Sequence, residues 1–278
     1  MGKDDKALKY LKDNHLTLDD VVVMAKALKT GNPTPKKQYS VGKMSVRYLA
    51  LSDTHIGSIY YDKDLMSFAV GQAKKEACDF AIHAGDVLEG WFQNRPQSIF
   101  ELNAVGVDQQ VGMGVEELCK LPCPLYFITG NHEYNTFMRG AGIEVGRVLE
   151  EKAALKGKTH HFLGNAEGDI SLKGGATIKL LHPDSVSSYA ISYRSQKIAE
   201  SLEGGKKPSV LHIGNMHKAE YLFYRNIHII QTACLQNQTK FMRGRHIAAM
   251  KGFYIVDLHS NSLGGVELIV PRFYPAYD

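Results

Sequence analysis

Cysteine is scarce in this chain: four in 278 residues, Cys78, Cys119, Cys123 and Cys234, with no Cys-x-x-Cys pair. That is too few for a disulfide scaffold of this size and reads as reduced, buried thiols in a cytoplasmic protein. Long hydrophobic runs are missing too. None approaches the ~20 residues of a membrane span, so no membrane partner is expected. Charge of one sign is not dominant: 33 Lys and Arg against 29 Asp and Glu leave +4, which permits a polyanionic partner without demanding one. No repeat or low-complexity tract stands out, and Met1–Lys6 leads into a mixed-charge helix, not a secretory h-region. Ser52 and Ser58 lack the pattern of a base triad, which argues against a serine nucleophile. What is present is ordinary for a globular protein, with 44% hydrophobic and 22% charged residues, enough for one large domain and a small appendage.

Residues 1–30 read as an N-terminal helical hairpin: Leu8 and Leu11, then Val21, Val22, Met24, Ala25 and Leu28, recur at helical spacing. The pair could belong to a helix-turn-helix or pack on the main domain or a partner. Residues 31–43, with Gly31-Asn32-Pro33-Thr34-Pro35, read as a linker, and 44–278 as the main domain. Helices are expected near 62–77, 98–119, 137–155 and 187–203. Short strands follow near 160–163, 169–172, 176–182, 209–214, 221–224, 227–231, 252–257 and 265–270, with Gly174-Gly175 as a hairpin turn. The first half is thus rich in strand–helix units and the second in strands. Two sheets packed face to face, with helices outside, satisfy both.

Three strings carry the chemistry: Asp53-Thr54-His55, Gly85-Asp86 and Gly130-Asn131-His132-Glu133. Each follows an apolar run that reads as a buried strand, Val46–Leu51, Phe80–Ala84 and Leu125–Thr129. Open α/β sheets place their chemistry at such strand ends. Carboxylate, imidazole and amide oxygen donors suit divalent metals, and a pair of ions ~3.5–4 Å apart can stabilise both oxygens of a phosphoryl displacement. Asp53, His55, Asp86 and Asn131 are candidate ligands. Two further histidines end strands in the second half, His182 after Ile178–Leu181 and His217 after Ser209–Ile213.

The order Asp-x-His, Gly-Asp, Gly-Asn-His-Glu, strand-His and Gly-x-x-His, running from about Val46 to Thr239, resembles the calcineurin-like metallophosphoesterases. Gly214-Asn215-Met216-His217-Lys218-Ala219-Glu220 and the long helix before it resemble the phage and prokaryotic DNA-repair-nuclease branch. The resemblance implies an α/β fold, a four-layer α-β-β-α sandwich with two mixed sheets, and a divalent-metal-dependent phosphodiesterase or nuclease. The alternatives are a phosphomonoesterase and a metal-binding regulatory protein without turnover. Asp53, His55, Asp86 and His217 would hold one ion. Asp86 would bridge to a second, held also by Asn131 and His182. A metal-bridging hydroxide would attack phosphorus in line, and His132 would protonate the leaving group.

One departure matters: where the family has a histidine on the second metal, this chain has Asn215. An amide oxygen is a weaker donor than imidazole, so the second ion should be looser and Mn²⁺ favoured over Zn²⁺, with Fe²⁺ and Mg²⁺ as further alternatives. His212 is a candidate to compensate. In the phosphatase branch an acid at the position of Glu89 orients the histidine that matches His132, and the same bond would raise the His132 pKa; otherwise Glu89 is a solvated loop residue. Trp91 could line the substrate cleft or pack, and Arg194 could bind substrate phosphate or make a surface ion pair. Lys240–His246, an aromatic among cations, fits phosphate-backbone contact or a solvated loop. His83, His160, His161 and His228 read as structural. Partners are a phosphate ester, with nucleic acid among the candidates, and a second copy of the chain through the helices near 62–77 and 98–119.

Overall fold

The computed structural model describes residues 39–92, 97–184, 188–203 and 207–277. The N-terminal helical hairpin lies outside the described residues. Tyr39–Val41, inside the stretch read as linker, forms a short strand, β1, that pairs in parallel with Ile170–Leu172.

Among the described residues, twelve strands form two mixed six-stranded sheets. In the first, β2 (Ser45–Leu51), β3 (Phe80–Ala84), β4 (Leu125–Thr129) and β5 (His160–Asn165) run parallel. Antiparallel β11 (Gly252–Ser260) and β12 (Val266–Pro275) extend that sheet beyond β2. The second sheet has the order β1-β6-β7-β8-β10-β9. Its strands are β6 (Glu167–Leu172), β7 (Thr177–Leu181), β8 (Val210–Ile213), β9 (Glu220–Tyr224) and β10 (Ile227–Gln231). β6 and β7 form the hairpin expected at Gly174-Gly175.

Side-chain alternation along the strands sorts the core into three layers. Tyr48, Ala50, Ile82 and Ile128 from the first sheet meet Ile170, Ile178, Leu180 and Ile230 from the second. The opposite face of the first sheet, with Leu49, Leu51, Ala81 and Phe127, packs under three helices. These are α1 (Lys63–Lys75), α2 (Val107–Leu118) and α3 (Val145–Leu155). On the outer face of the second sheet, Leu211, Ile213, Ile227 and Ile229 meet Ala199 of α4 (Tyr193–Ser201). A fully buried aliphatic side chain of this kind stabilises by roughly 1.5–3 kcal/mol. The loops at the strand ends are therefore carried on a stiff frame.

Two of the expected helices are interrupted. The stretch 98–119 holds a 3₁₀ turn, Ile99–Glu101, and then α2, separated by a segment ending at Gly106 with φ +96°. Between 134 and 155 a π-helical turn and a single helical turn end at Gly142, φ +67°, before α3 begins. A left-handed residue cannot continue a right-handed helix, and both breaks sit at glycine. No described helix is long and apolar enough to cross a membrane.

Candidate metal centre

The parallel register of β2, β3 and β4 sets the C-terminal ends of these strands side by side, and main-chain hydrogen bonds continue into the loops. Asp53 N–H donates to Gly85 O (3.0 Å), His55 N–H to Asp86 O (3.1 Å) and Glu89 N–H to Ile56 O (2.9 Å). The second sheet meets them from across the core. His182, just after β7, lies 2.7 Å from Ala84 O through Nδ1. The Asn215 main-chain N–H, in the loop after β8, reaches both Asp53 carboxylate oxygens at 3.1 and 3.0 Å. Each sheet thus ties down a ligand candidate carried by the other.

Asp53, His55, Asp86, Asn215 and His217 all adopt positive φ, between 50° and 69°. Non-glycine residues in this region carry strain and tend to mark functional sites. The backbone is also packed as tightly as glycine allows. A Cβ on Gly130 would lie 2.1 Å from Asp86 Oδ1 and 2.6 Å from His182 Nε2, and one on Gly85 2.4 Å from His182 Nδ1.

The side chains converge. Asp53, His55 and His217 form one group of donors within 4.8 Å of one another, and Asp53, Asp86 and His182 form another. His217 Nε2 is 3.3 Å from Asp53 Oδ1 and 3.2 Å from His55 Nε2. His182 Nε2 is 3.2 Å from Asp86 Oδ2 and 3.0 Å from Asn131 Oδ1. Asp53 belongs to both groups, and Asp86 Oδ2 of the second also lies 3.9 Å from His55 Nε2 of the first. The donor set of buried carboxylates, imidazoles and an amide oxygen, cradled by glycines, fits two divalent ions.

The charges interlock. Burial alone would raise the pKa of Asp53 and Asp86, but His217 beside the first, and His132 and His182 beside the second, lower both. Burial would depress His182, yet Asp86 and Asp53 lift it to about 9. His217 moves upward for the same reason, with Cys234 and Asp53 against it.

His132 and His55 meet edge to face, with Nδ1 atoms 3.0 Å apart. Glu89 offers each ring an acceptor: its main-chain carbonyl lies 2.9 Å from His132 Nδ1, and its carboxylate 3.0 Å from His55 Nδ1. Glu89 is buried, and Gln97 and Gln236 donate to its carboxylate at 2.6 and 3.0 Å. It was expected to engage His132 by its side chain or to lie in solvent. Its carboxylate lies within ion-pair reach of His132 Nδ1 at 3.8 Å and closer to His55 at 3.0 Å, while its main-chain carbonyl meets His132 Nδ1 at 2.9 Å. Both rings are left with Nε2 toward the aspartates, His132 Nε2 at 3.7 Å from Asp86 Oδ2.

Asn215 donates its side-chain amide to Pro183 O at 2.6 Å. His212 does not compensate for it: its ring bonds Tyr48 and Thr232 in the core (2.9 and 3.2 Å), and burial lowers its pKa to about 3. His83 is buried against Thr54 and likewise lowered to about 3. Trp91 lies exposed just beyond the Glu89 loop. Arg194 sits in the first turn of α4, with Nε buried and without a hydrogen-bond partner. No hydrogen bond or ion pair joins either to the cluster.

One residue with a clear role escaped the sequence reading. Glu133 is buried, and its carboxylate accepts the N–H of Leu88 at 2.6 Å and of Gly130 at 2.8 Å, clamping the Asp86 loop to the Asn131 loop. Burial, reinforced by Asp86, raises its pKa to about 8. Ser52 adds a bond to Asp53 Oδ2 at 2.5 Å. A Glu beside a motif reads the same buried or exposed, so no sequence signal separated them.

The family described as calcineurin-like phosphoesterase matches residues 46–228. Among solved structures, a novel archaeal phosphodiesterase aligns with a TM-score of 0.44 at 12% identity, over 81% of this chain and 99% of its own. Yfce, a phosphoesterase from E. coli, aligns with a TM-score of 0.44 at 14% identity, over 81% and 98%. A predicted phosphoesterase from Streptococcus pneumoniae aligns with 0.37 at 12%, over 82% and 98%. The curated proteins contain no match.

Proposed function

The chain belongs to the calcineurin-like phosphoesterase family, a family of metal-dependent phosphoric-ester hydrolases, and from that premise we propose that it is a phosphodiesterase acting on nucleic acid. The observation that carries the reading is a pair of adjoining donor groups that share Asp53, with Asp86 3.2 Å from His182 in one and 3.9 Å from His55 in the other. In this reading Asp53, His55, Asp86 and His217 hold one divalent ion, and Asp86, Asn131 and His182 hold a second. Bound there, two ions would polarise the phosphoryl oxygens and lower the pKa of the attacking water. Asn215 adds at most an amide where the family has an imidazole, and its bond to Pro183 supports a looser second site and a preference for Mn²⁺ over Zn²⁺.

His132 is the proton donor. With Nδ1–H held by the Glu89 carbonyl, its Nε2 faces the centre and can protonate the departing oxygen, the general-acid role a positioned imidazole can fill. Glu89 is a positioning residue that fixes the His55 and His132 rings together. The net charge of +4 and the cationic run Lys240–His246 favour a polyanionic diester and the nuclease branch of the family.

The test is hydrolysis of an aryl phosphodiester beside the matching monoester, with Mn²⁺ and with chelator, using His132→Ala as control. Metal-dependent diester cleavage lost in the variant is expected. Turnover of the monoester alone would move the assignment to a phosphatase.

A further inference from the structure

Beside the metal centre lies a cleft of about 450 Å³, lined among others by Tyr189, Ile191, Lys218, His246, Ile247 and Met250. Its wall is joined to a candidate ligand twice. Lys218 directly follows His217, and the Met250 N–H donates to the His217 carbonyl at 2.9 Å. The opposite wall, 188–191, is tied to the second sheet, because the Gln231 side chain donates to Ile191 O at 2.8 Å.

The segments that line the cleft carry an excess of cations in sequence, of which Lys251 pairs with Asp62 at 3.3 Å and Lys197 with Glu200 at 2.8 Å. No Asp or Glu occurs between Glu220 and Asp257, a stretch that contains Arg225, Lys240, Arg243, Arg245 and Lys251. None occurs between Asp184 and Glu200 on the other wall, which contains Arg194 and Lys197. Lys218 Nζ uses one donor on Ala248 O, at 2.9 Å, and an ammonium has three. The Arg245 guanidinium lies over the Phe241 ring, 4.6 Å from its centroid, which holds that cation at the surface. Tyr189 is entirely exposed, an aromatic ring in solvent at the cleft's edge.

Cations for phosphate and an exposed ring for a base are the two parts of a sequence-tolerant single-strand site. A volume of about 450 Å³ falls within the range of sites for single small molecules, which suits one nucleotide and not a duplex. The geometry points to a subsite for the nucleotide next to the scissile bond of a single-stranded polynucleotide, with Lys218 and His246 on its phosphate and Tyr189 stacked on its base. The assignment rests on the phosphodiesterase reading and adds to it the substrate class and the place where the strand lies.

Binding and turnover separate the two claims. Fluorescence anisotropy with labelled ten-nucleotide single-stranded DNA, single-stranded RNA and duplex DNA, in the presence of chelator, reads the subsite alone. Hydrolysis of the aryl diester and of the same oligonucleotides with Mn²⁺ reads the chemistry. Tyr189→Ala should weaken single-strand binding at least about fivefold, the lower end of what loss of one base stack brings. Lys218→Gln should lower the salt dependence of binding by about 0.7 in log K against log salt. In both variants kcat/KM for the oligonucleotide should fall more than that for the aryl diester. DNA and RNA binding alike would assign the site to backbone and base stacking, and a preference for one would name the sugar. Duplex bound in preference to single strand, or single-strand binding indifferent to Tyr189 and Lys218, would overturn the subsite. If no aryl diester is cleaved while Tyr189-dependent strand binding persists, the phosphodiesterase reading fails, and what stands is a single-strand binding site with no scissile bond beside it.

Discussion

Adding one methyl group at Gly130 should disable the centre without touching a ligand. Its Cβ would lie 2.1 Å from Asp86 Oδ1, 2.7 Å from the Asp86 nitrogen and 2.6 Å from His182 Nε2. Close C···O contacts lie near ~3.3 Å, so the Asp86 carboxylate would have to retreat by roughly 1 Å. It cannot retreat freely: Asp86 is buried, and its Oδ1 accepts the His132 N–H at 3.0 Å. A misplacement of ~1 Å in a catalytic constellation costs about 100-fold. Gly130→Ala should therefore lower Mn²⁺-dependent diester kcat/KM by about that factor and reduce the Mn²⁺-induced rise in Tm. The control is Gly71→Ala in α1, where a Cβ meets nothing within 4 Å. It should keep full activity and gain roughly 0.5–1 kcal/mol from helix propensity. A Gly130→Ala protein with wild-type turnover and metal response would refute the assignment of Asp86 to a shared, tightly packed position.

His132→Gln should lower diester kcat by roughly 10²- to 10⁴-fold while leaving Mn²⁺ affinity, measured by calorimetry, within a few-fold. Glu89→Gln removes the carboxylate beside His55 Nδ1 and should weaken metal binding about 10- to 100-fold, as loss of such outer partners does; an unchanged metal titration would sink the positioning role. Metal binding should release protons and tighten as pH rises toward about 9, because His182 retains its proton up to that pH and an ion at Nε2 must displace it. Calorimetry in buffers of different ionisation enthalpy reads this directly. Without metal the sign reverses for folding: the raised His182 pKa stabilises fully below its unfolded value near ~6.5 and is lost as pH rises through about 9. His212→Ala should leave catalysis intact but destabilise by about 1–3 kcal/mol in urea titration, since Tyr48 OH and Thr232 Oγ1 lose their buried partner.

The strands that carry the site were readable because parallel strands covered on both faces appear as unbroken apolar runs. Phe80–Ala84 is buried at every position, and the polar string after it marks where the run leaves the core. The second-half histidines were readable for the same reason. The interruptions of the helices were not, since Asn103–Gly106 and Gly142 sit between segments whose apolar spacing continues across the break. Least legible were the groups that hold the candidate ligands in place. Glu133 bonds Leu88 forty-five positions away, and Gln236 reaches Glu89 across 147. Such pairings follow from the meeting of loops on two sheets, and periodicity within one segment carries no trace of them.

The most direct test of the two-ion centre is anomalous diffraction from crystals soaked in Mn²⁺. Two peaks should flank the Asp86 carboxylate, a stronger one beside Asp53, His55 and His217 and a weaker one beside Asn131 and His182. A single peak, or peaks away from Asp86, would contradict the account.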